Sequence, residues 1–495
     1  MDAFFDAILQ VCSLSSLAMV CIGTIFGTIL GALPGLGSIV GISVCLPFTY
    51  SMSNVPAIAL LLGVYAGSIY GGSISSVLIN TPGTPQSAAT ALEGYPMAMQ
   101  GKAGEAIGWA TSASVIGGLF SCLVMLVCAP QLAKVATRFG AVETCAFIFL
   151  GLSSICTLAG CSKIKGIFSG LVGLSFALIG QDPMTGDMRF TFDCYSLTMG
   201  IDLIPVVVGA FAISEIISRV DAIYRTESTN PISCKKLVLP SLSQWRSHLS
   251  TLCKSSIVGT VIGILPGAGS TAAAFISYGE AQRCSKNRDN FGKGEPDGIV
   301  ASESSNNAVT GGALVPSLAL GIPGDAVTAI MLSTLILHGI VPGARLMQDS
   351  PVVVYSTFMS LILANLFLIP AGIIVLRMFS QLLKMPEQMF LPTICLLCLL
   401  GAYAARTNPF DFYMTFIAGG IGIVFRYFAI PIAPMVIGLV LGFQFEFTLR
   451  QAVIVTNGDL LSVFTQHPIA VALLALTVLI QLGPWITDRL CGCRA

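Results

Sequence analysis

Four short loops hold the residues of this chain best placed to do chemistry. They are Leu33-Pro34-Gly35-Leu36-Gly37, Asn80-Thr81-Pro82-Gly83-Thr84-Pro85, Leu265-Pro266-Gly267-Ala268-Gly269 and Gly321-Ile322-Pro323-Gly324-Asp325. Each interrupts apolar sequence, because proline removes a backbone donor and glycine loosens what remains. A helix broken in this way exposes unpaired N–H groups at one end and carbonyls at the other. The N–H end carries partial positive charge and attracts carboxylate or phosphate. The carbonyl end and the unwound backbone suit a cation such as Na⁺. Such breaks at matching positions of two halves mark the binding site of a secondary transporter.

The side chains around the loops divide by charge. Ser73, Ser75, Ser76, Asn80, Thr81, Thr84, Gln86 and Ser87 surround the first Pro-Gly-Thr loop, all neutral and hydrogen-bonding. Asn80, Thr81 and Thr84, with backbone exposed at Pro82, Gly83, Pro323 and Gly324, are therefore expected to hold an anionic substrate that must also be released. Glu303, Asn306, Asn307 and Asp325 stand around the matching loop of the second half. Ionisable residues in membrane segments are costly and mark function, and oxygen-only ligands suit a hard cation. These four are the expected cation ligands. The structural alternatives are that Glu303 starts a helix at the interface and that Asp325 is an N-cap.

The elements that position these loops must be membrane helices. Only 10% of the 495 residues are charged and the mean hydropathy is +0.86, whereas soluble domains are about a quarter charged. Apolar stretches long enough to cross ~30 Å of hydrocarbon begin near Leu14, Val55, Glu105, Val142, Leu197, Ser256, Val352, Phe390, Phe412 and Ile469. The expected fold is an all-α polytopic membrane protein of about 10–14 transmembrane helices or hairpins. It is built from two homologous halves, expected to be inverted repeats. Residues 1–218 form the first repeat and residues 255–495 the second, with C-terminal helices. Between them, residues 219–254 carry six basic residues against two acids, so this linker is expected to be cytoplasmic. Residues 282–297 mix four basic residues with three acids. They share the linker's side if the segment between is a hairpin turning at Pro266, and face the other side if it is one span. Gly71-Gly72 and Gly311-Gly312 precede the second loop of each half at similar spacing, where small residues let helices approach closely.

Other residues carry less. The acidic start of the chain, Met1 to Asp6, lacks the basic region of a cleaved signal peptide. The sixteen cysteines, Cys395 and Cys398 included, are scattered mostly through apolar segments and read as small buried hydrophobes. Glu93, Lys102 and Glu105 fall in an interfacial connection, and Asp187, Arg189 and Asp193 in a polar excursion. Glu446 and Arg450 are spaced to pair on a helix face. His338 reads as a packed or capping residue. No GxxxxGK[ST] or HExxH motif occurs, and the chain has three histidines. An enzyme, a resident cofactor and a nucleic-acid partner are not expected.

Longer motifs carry a resemblance. They include Tyr70-Gly71-Gly72-Ser73, Asn80 to Pro85, Glu93-Gly94-Tyr95-Pro96-Met97-Ala98 and Gly101-Lys102-Ala103-Gly104. Further on come Arg189-Phe190-Thr191-Phe192, Leu265 to Gly269, Glu303-Ser304-Ser305-Asn306-Asn307-Ala308 and Leu320 to Gly324. Through these the chain resembles the large membrane subunit of the tripartite tricarboxylate transporters. The resemblance implies a multi-pass permease of the bacterial inner membrane. Its partners would be a small membrane subunit of about four helices and a periplasmic solute-binding protein that delivers an organic di- or tricarboxylate. Uptake would be driven by Na⁺ or H⁺. The chain departs from the family at Gly343-Ala344 and at Leu441 to Glu446, so the resemblance leaves the particular carboxylate open. The rival reading on the same broken helices is a passive organic-anion channel.

Overall fold

The computed structural model describes residues 2–33, 36–136, 139–158, 162–182, 184–223, 232, 234, 236–265, 269–285, 287–343, 345–382, 392, 395–396, 398–400, 402–403, 408–459 and 466–478. Pro34-Gly35, Pro266-Gly267-Ala268, Ala344, the start of the span expected near Phe390, and Cys491 and Cys493 lie outside these residues. The first half runs α1 (Asp2–Val11), α2 (Leu14–Ala32), α3 (Gly37–Thr49), α4 (Asn54–Ile79), α5 (Ala88–Met97) and α6 (Ala103–Ala136). It continues with α7 (Ala141–Leu158), α8 (Lys163–Ala177), α9 (Leu203–Val207) and α10 (Ser214–Ile223). The second half runs α11 (Leu242–Ile264), α12 (Gly269–Cys284), α13 (Pro296–Leu320), α14 (Ala326–Leu337), α15 (Leu346–Asp349) and α16 (Pro351–Leu382). Then follow α17 (Pro409–Tyr427), α18 (Ala433–Val455) and α19 (Pro468–Val478). Among the described residues the strands are β1 (Gly180–Gln181) and β2 (Met188–Arg189), an antiparallel pair. Among the described residues, five helical stretches are long and apolar enough to cross a bilayer: Leu14–Ala32, Asn54–Ile79, Pro85–Val135, Pro351–Phe379 and Ala433–Val455. The protein is a multi-pass, all-α membrane protein.

The same local features recur in the same order in the two halves. In α2, Gly27 and Gly31 lie against the backbone of α4 at Val64 and Ser68, and in α11, Gly259 and Gly263 lie against α13 at Ser305 and Val309. At all four a Cβ would strike the neighbouring helix, so helix approach in lipid depends on these glycines. Both α2 and α11 end on a leucine, Leu33 and Leu265, with ψ of 116°. Both following helices start on a glycine of positive φ, Gly37 and Gly269. α4 ends at Asn80 (φ 52°) and α13 at Gly321 (φ 73°), each a left-handed C-cap. This register pairs Gly71 with Gly312, so the two glycine pairs are staggered by one residue.

Each half contains a hairpin, α2 with α3 in the first and α11 with α12 in the second. α11 runs parallel to α13, whereas α12 runs antiparallel to it, with Ala273 beside Ser305 and Tyr278 beside Gly298. The chain therefore reverses direction between α11 and α12, and Ser256 does not begin a single span. The two polar segments flanking the hairpin meet on one face, where His248 pairs with Asp297 at 2.8 Å. Residues 242–254 of the linker are helical, the first turns of α11. Ahead of them Val238 donates to the Gly104 carbonyl of α6 at 3.1 Å, and Trp245 stacks edge-on against Trp109.

The halves run in opposite directions. α5 folds back beside the end of α4, Gly94 against Val77, and its Glu93 reaches the loop that starts α13. The end of α4 and the start of α13 thus share one side of the molecule, and the repeats are inverted. They also exchange helices: α6 packs on α13 with Gly117 against Ser304, and α16 packs on α4 with Gly372 against the Tyr70 hydroxyl. α6 and α16 cross where Gly118 meets Asn365. A second layer is built from α7 to α10, α17 and α18, with Val206, Ala210, Met414, Ala418 and Met435 at its centre. The β1–β2 turn is fastened to α18 by ion pairs: Arg189 bridges Glu446 (2.6 Å) and Asp182 (3.4 Å), and Arg450 bridges Asp182 (2.9 Å) and Glu446 (2.5 Å).

Candidate functional site

One cavity of about 460 Å³ collects residues from all four loops. Gly37 and Ser38 open α3, Gly269, Ser270 and Thr271 open α12, Thr84, Pro85 and Gln86 form the turn into α5, and Asp325 and Ala326 open α14. All of them line the same space. Each enters by the N-terminal end of a helix or turn, so the partial positive ends point at one volume. The opposite wall comes from the second layer and includes Phe211, Glu215, Arg426 and Ala433. Arg426, in the last turn of α17, pairs with Glu215 at 2.6 Å and donates from Nε to the Ser214 hydroxyl at 3.2 Å.

The expected substrate residues separate under this geometry. Thr84 lines the cavity. Asn80 and Thr81 do not: Asn80 is exposed and terminates α4, and the Thr81 hydroxyl turns back to the Ile79 carbonyl at 3.2 Å. The Gly83 N–H is directed at the Gly72 carbonyl (3.5 Å), and the Gly324 N–H donates to the Ser317 hydroxyl (3.3 Å). Pro82, Pro323 and Gly324 also stand outside the lining. The reason is physical: the Pro-Gly pair makes the turn, and the helix start facing the ligand falls one to three residues later.

The expected cation residues separate too. Asp325 is the N-cap of α14, its Oδ1 accepting from the Thr328 N–H (2.7 Å) and hydroxyl (2.9 Å). Its Oδ2 accepts from the Tyr65 hydroxyl of α4 at 2.5 Å. Glu303 is not at a helix start. It lies fully buried in mid-α13 and accepts from the hydroxyls of Thr90 and Ser114. It therefore joins α13 to α5 and α6 and shares no lining with Asp325. The Asn307 Nδ2 donates to the Glu303 carbonyl at 3.2 Å. Asn306 is fully buried, and its amide makes no hydrogen bond. Among the described residues no three His, Cys, Asp or Glu gather as a metal site, and the described cysteines are free. His338 is the C-cap residue of α14.

Two features escaped the sequence reading. Arg426 sits at the end of an apolar helix, a position also taken by interfacial cations, and only the fold turns it toward the cavity. Glu93 is a buried clamp accepting from the N–H groups of Gly292 (2.5 Å), Gly294 and Glu295 (both 2.9 Å) and from the Tyr278 hydroxyl (2.8 Å). A carboxylate followed by glycine gives no local sign of partners two hundred residues away.

Known proteins bear on this architecture. Residues 17–437 match the family described as the tripartite tricarboxylate transporter TctA family. A relative from Agrobacterium vitis, described as a 52.8 kDa protein in the TAR-I ttuC' 3'region, is 36% identical over 473 residues, covering 94% of this chain and 93% of the relative. A second, from the TAR-II ttuC' 3'region of the same organism, is 35% identical over 234 residues, 47% of this chain and 96% of that protein. No solved structure matches the chain. With a match over most of its length and an inverted pair of broken-helix repeats closing on one cavity, this chain belongs to the tripartite tricarboxylate transporter TctA family.

Proposed function

We propose that this chain is the permease subunit of a secondary transporter that imports citrate-like tricarboxylates or related organic acids. It works in the bacterial inner membrane with a small membrane subunit of about four helices and a periplasmic solute-binding protein, driven by an Na⁺ or H⁺ gradient. The observation that carries this reading is the convergence of the starts of α3, α12 and α14 and the turn into α5 on one cavity. Oriented backbone N–H groups hold carboxylates with no cationic side chain on that wall, which favours release as well as capture. Ser38, Gln86, Ser270 and Thr271 add neutral hydrogen-bonding groups. Arg426 supplies the charge: a substrate carboxylate replaces Glu215 as its partner.

The site lies between the repeat layer and the second layer, so a shift of one against the other exposes it first to one side and then to the other. No nucleophile–base pair is needed, and the reading is of a carrier rather than an enzyme. The test is uptake of labelled citrate and other di- and tricarboxylates into proteoliposomes holding this protein and its small subunit, with the binding protein outside. Saturable, gradient-dependent uptake that needs the binding protein supports the proposal. Unsaturable flux independent of gradient and binding protein identifies a passive anion channel instead.

A further inference from the structure

The inverted repeat relates residues that the sequence does not pair. The register that matches Asn80 with Gly321 and Gly83 with Gly324 also carries Tyr65 onto Asn306 and Asp325 onto Thr84. In one half-site the gap between the mid-helix residue and the loop residue is closed, because the Tyr65 hydroxyl donates to the Asp325 carboxylate at 2.5 Å. In the other half-site both side chains are shorter and uncharged. There Asn306, 0% exposed, leaves Oδ1 and Nδ2 without a hydrogen-bond partner, and Thr84, 2% exposed, leaves Oγ1 without one. Within the turn the Ser87 N–H donates to the Thr84 carbonyl at 3.1 Å, and the Thr84 N–H donates to the Ser87 hydroxyl at 3.3 Å. One residue along α13, the Asn307 Oδ1 is also buried and unpartnered. The turn Pro85–Ser87, which Thr84 opens, packs against α13.

Orphaned polar atoms of this kind each cost about 1–3 kcal/mol, and native interiors satisfy nearly all of them. Three neutral oxygens on two packed elements, matched by an occupied counterpart across the repeat, call for a guest. We infer that Thr84 and Asn306, with Asn307, form the binding site of a monovalent cation of the Na⁺ class, and that this is the coupling site of the transporter. The inference rests on the ion-driven reading proposed above. Amide and hydroxyl oxygens do not titrate in the physiological range, so the guest is a metal cation and not a proton. A hard ion prefers oxygen ligands. The carboxylates that a divalent ion would want are engaged elsewhere: Asp325 with Tyr65 and Thr328, and Glu303 with Thr90 and Ser114. Thr84 also lines the substrate cavity, so the cation and the carboxylate share one loop, and binding of either orders the other's ligands.

The test uses the purified full-length protein in detergent, with its melting temperature followed during titration with NaCl, KCl or choline chloride at constant ionic strength. The expected result is a saturable rise with Na⁺ alone. Thr84→Val, which removes only the hydroxyl, should raise the half-saturating Na⁺ about tenfold or more, whereas Tyr65→Phe, in the other half-site, should leave it unchanged. Asn306→Asp should add a response to Ca²⁺ that the parent protein lacks, a gain no structural role produces. A Na⁺ response unaltered in Thr84→Val and Asn306→Asp places the ion elsewhere and overturns the site. No response to any cation means that water fills the gap, which overturns it as well. Stabilisation by citrate in choline chloride, with Na⁺ absent, reports on the substrate cavity alone, so failure of the cation site and failure of the transporter reading can be told apart.

Discussion

Neutralising Arg426 gives the sharpest test of the cavity wall. Its guanidinium lies 2.6 Å from the Glu215 carboxylate, in a cavity whose other carboxylate, Asp325, is bound by the Tyr65 hydroxyl and the Thr328 N–H and whose remaining lining brings no second cation. Two unit charges about 4 Å apart interact by about 4 kcal/mol at an effective dielectric of about 20. The Arg426 side chain is 36% exposed, and solvent screening reduces that to about 1 kcal/mol, or about fivefold in affinity. Arg426→Gln should raise the KM for a tricarboxylate by about that factor, because Glu215 is left facing the anion unopposed. Glu215→Gln should act in the opposite direction, since Arg426 no longer has to exchange partners. The double variant should fall between the two. The assay is initial-rate uptake into proteoliposomes at several substrate concentrations, with protein abundance matched. Three variants with the parent KM would remove Arg426 from substrate binding and leave its ion pair as a fastening between α10 and α17.

Glu303→Gln should keep uptake and its ion dependence near those of the parent, because the side chain meets only Thr90 and Ser114 hydroxyls and stands apart from the cavity; loss of ion dependence in gradient-driven uptake would restore Glu303 as a coupling residue. Glu93→Ala removes the acceptor of three backbone N–H groups, of which that of Glu295 is buried, and of the Tyr278 hydroxyl; a buried group left unmet costs about 1–3 kcal/mol, so the variant should fail to accumulate at parent levels, while Glu93→Gln should recover part of the loss on a membrane immunoblot. The N–H groups of Met184 and Thr185, with Arg450 and Arg189, hold the Asp182 carboxyl below the usual carboxylate range. Its contribution to stability is therefore present above that range and disappears as pH falls through the lowered value. Asp182→Asn should flatten the acid limb of melting temperature against pH, and an unchanged limb would show that the β1–β2 turn does not limit stability there.

The broken helices were legible in sequence because Pro-Gly pairs are local punctuation, and so was the duplication, which repeats them in order. The hairpin of α11 and α12 was legible only as one of two alternatives, since contacts with α13 decide it. α13 itself was hidden from an apolar search. It carries Ser302, Glu303, Ser304, Ser305, Asn306 and Asn307, and it is buried among α6, α11 and α12 rather than facing lipid. The site residues were displaced for a different reason. Asn80 and Gly321 look alike as loop residues, yet both are spent on left-handed caps, and the ligand-facing backbone follows after the turn. Arg426 and Glu215 come from helices outside the repeat motifs, so nothing local tied them to the loops.

The central claim, that a carboxylate sits among the starts of α3, α12 and α14, is tested most directly by protection from alkylation. A single cysteine would replace Ser270, which lines the cavity, in a background with all sixteen native cysteines removed. Its reaction with a membrane-permeant maleimide is then timed with and without citrate. The account predicts that citrate slows labelling saturably, that an uncharged ester of citrate does not, and that Arg426→Gln shifts the protecting concentration upward. Equal labelling with and without citrate, in protein that still takes up citrate saturably, would place the substrate somewhere else.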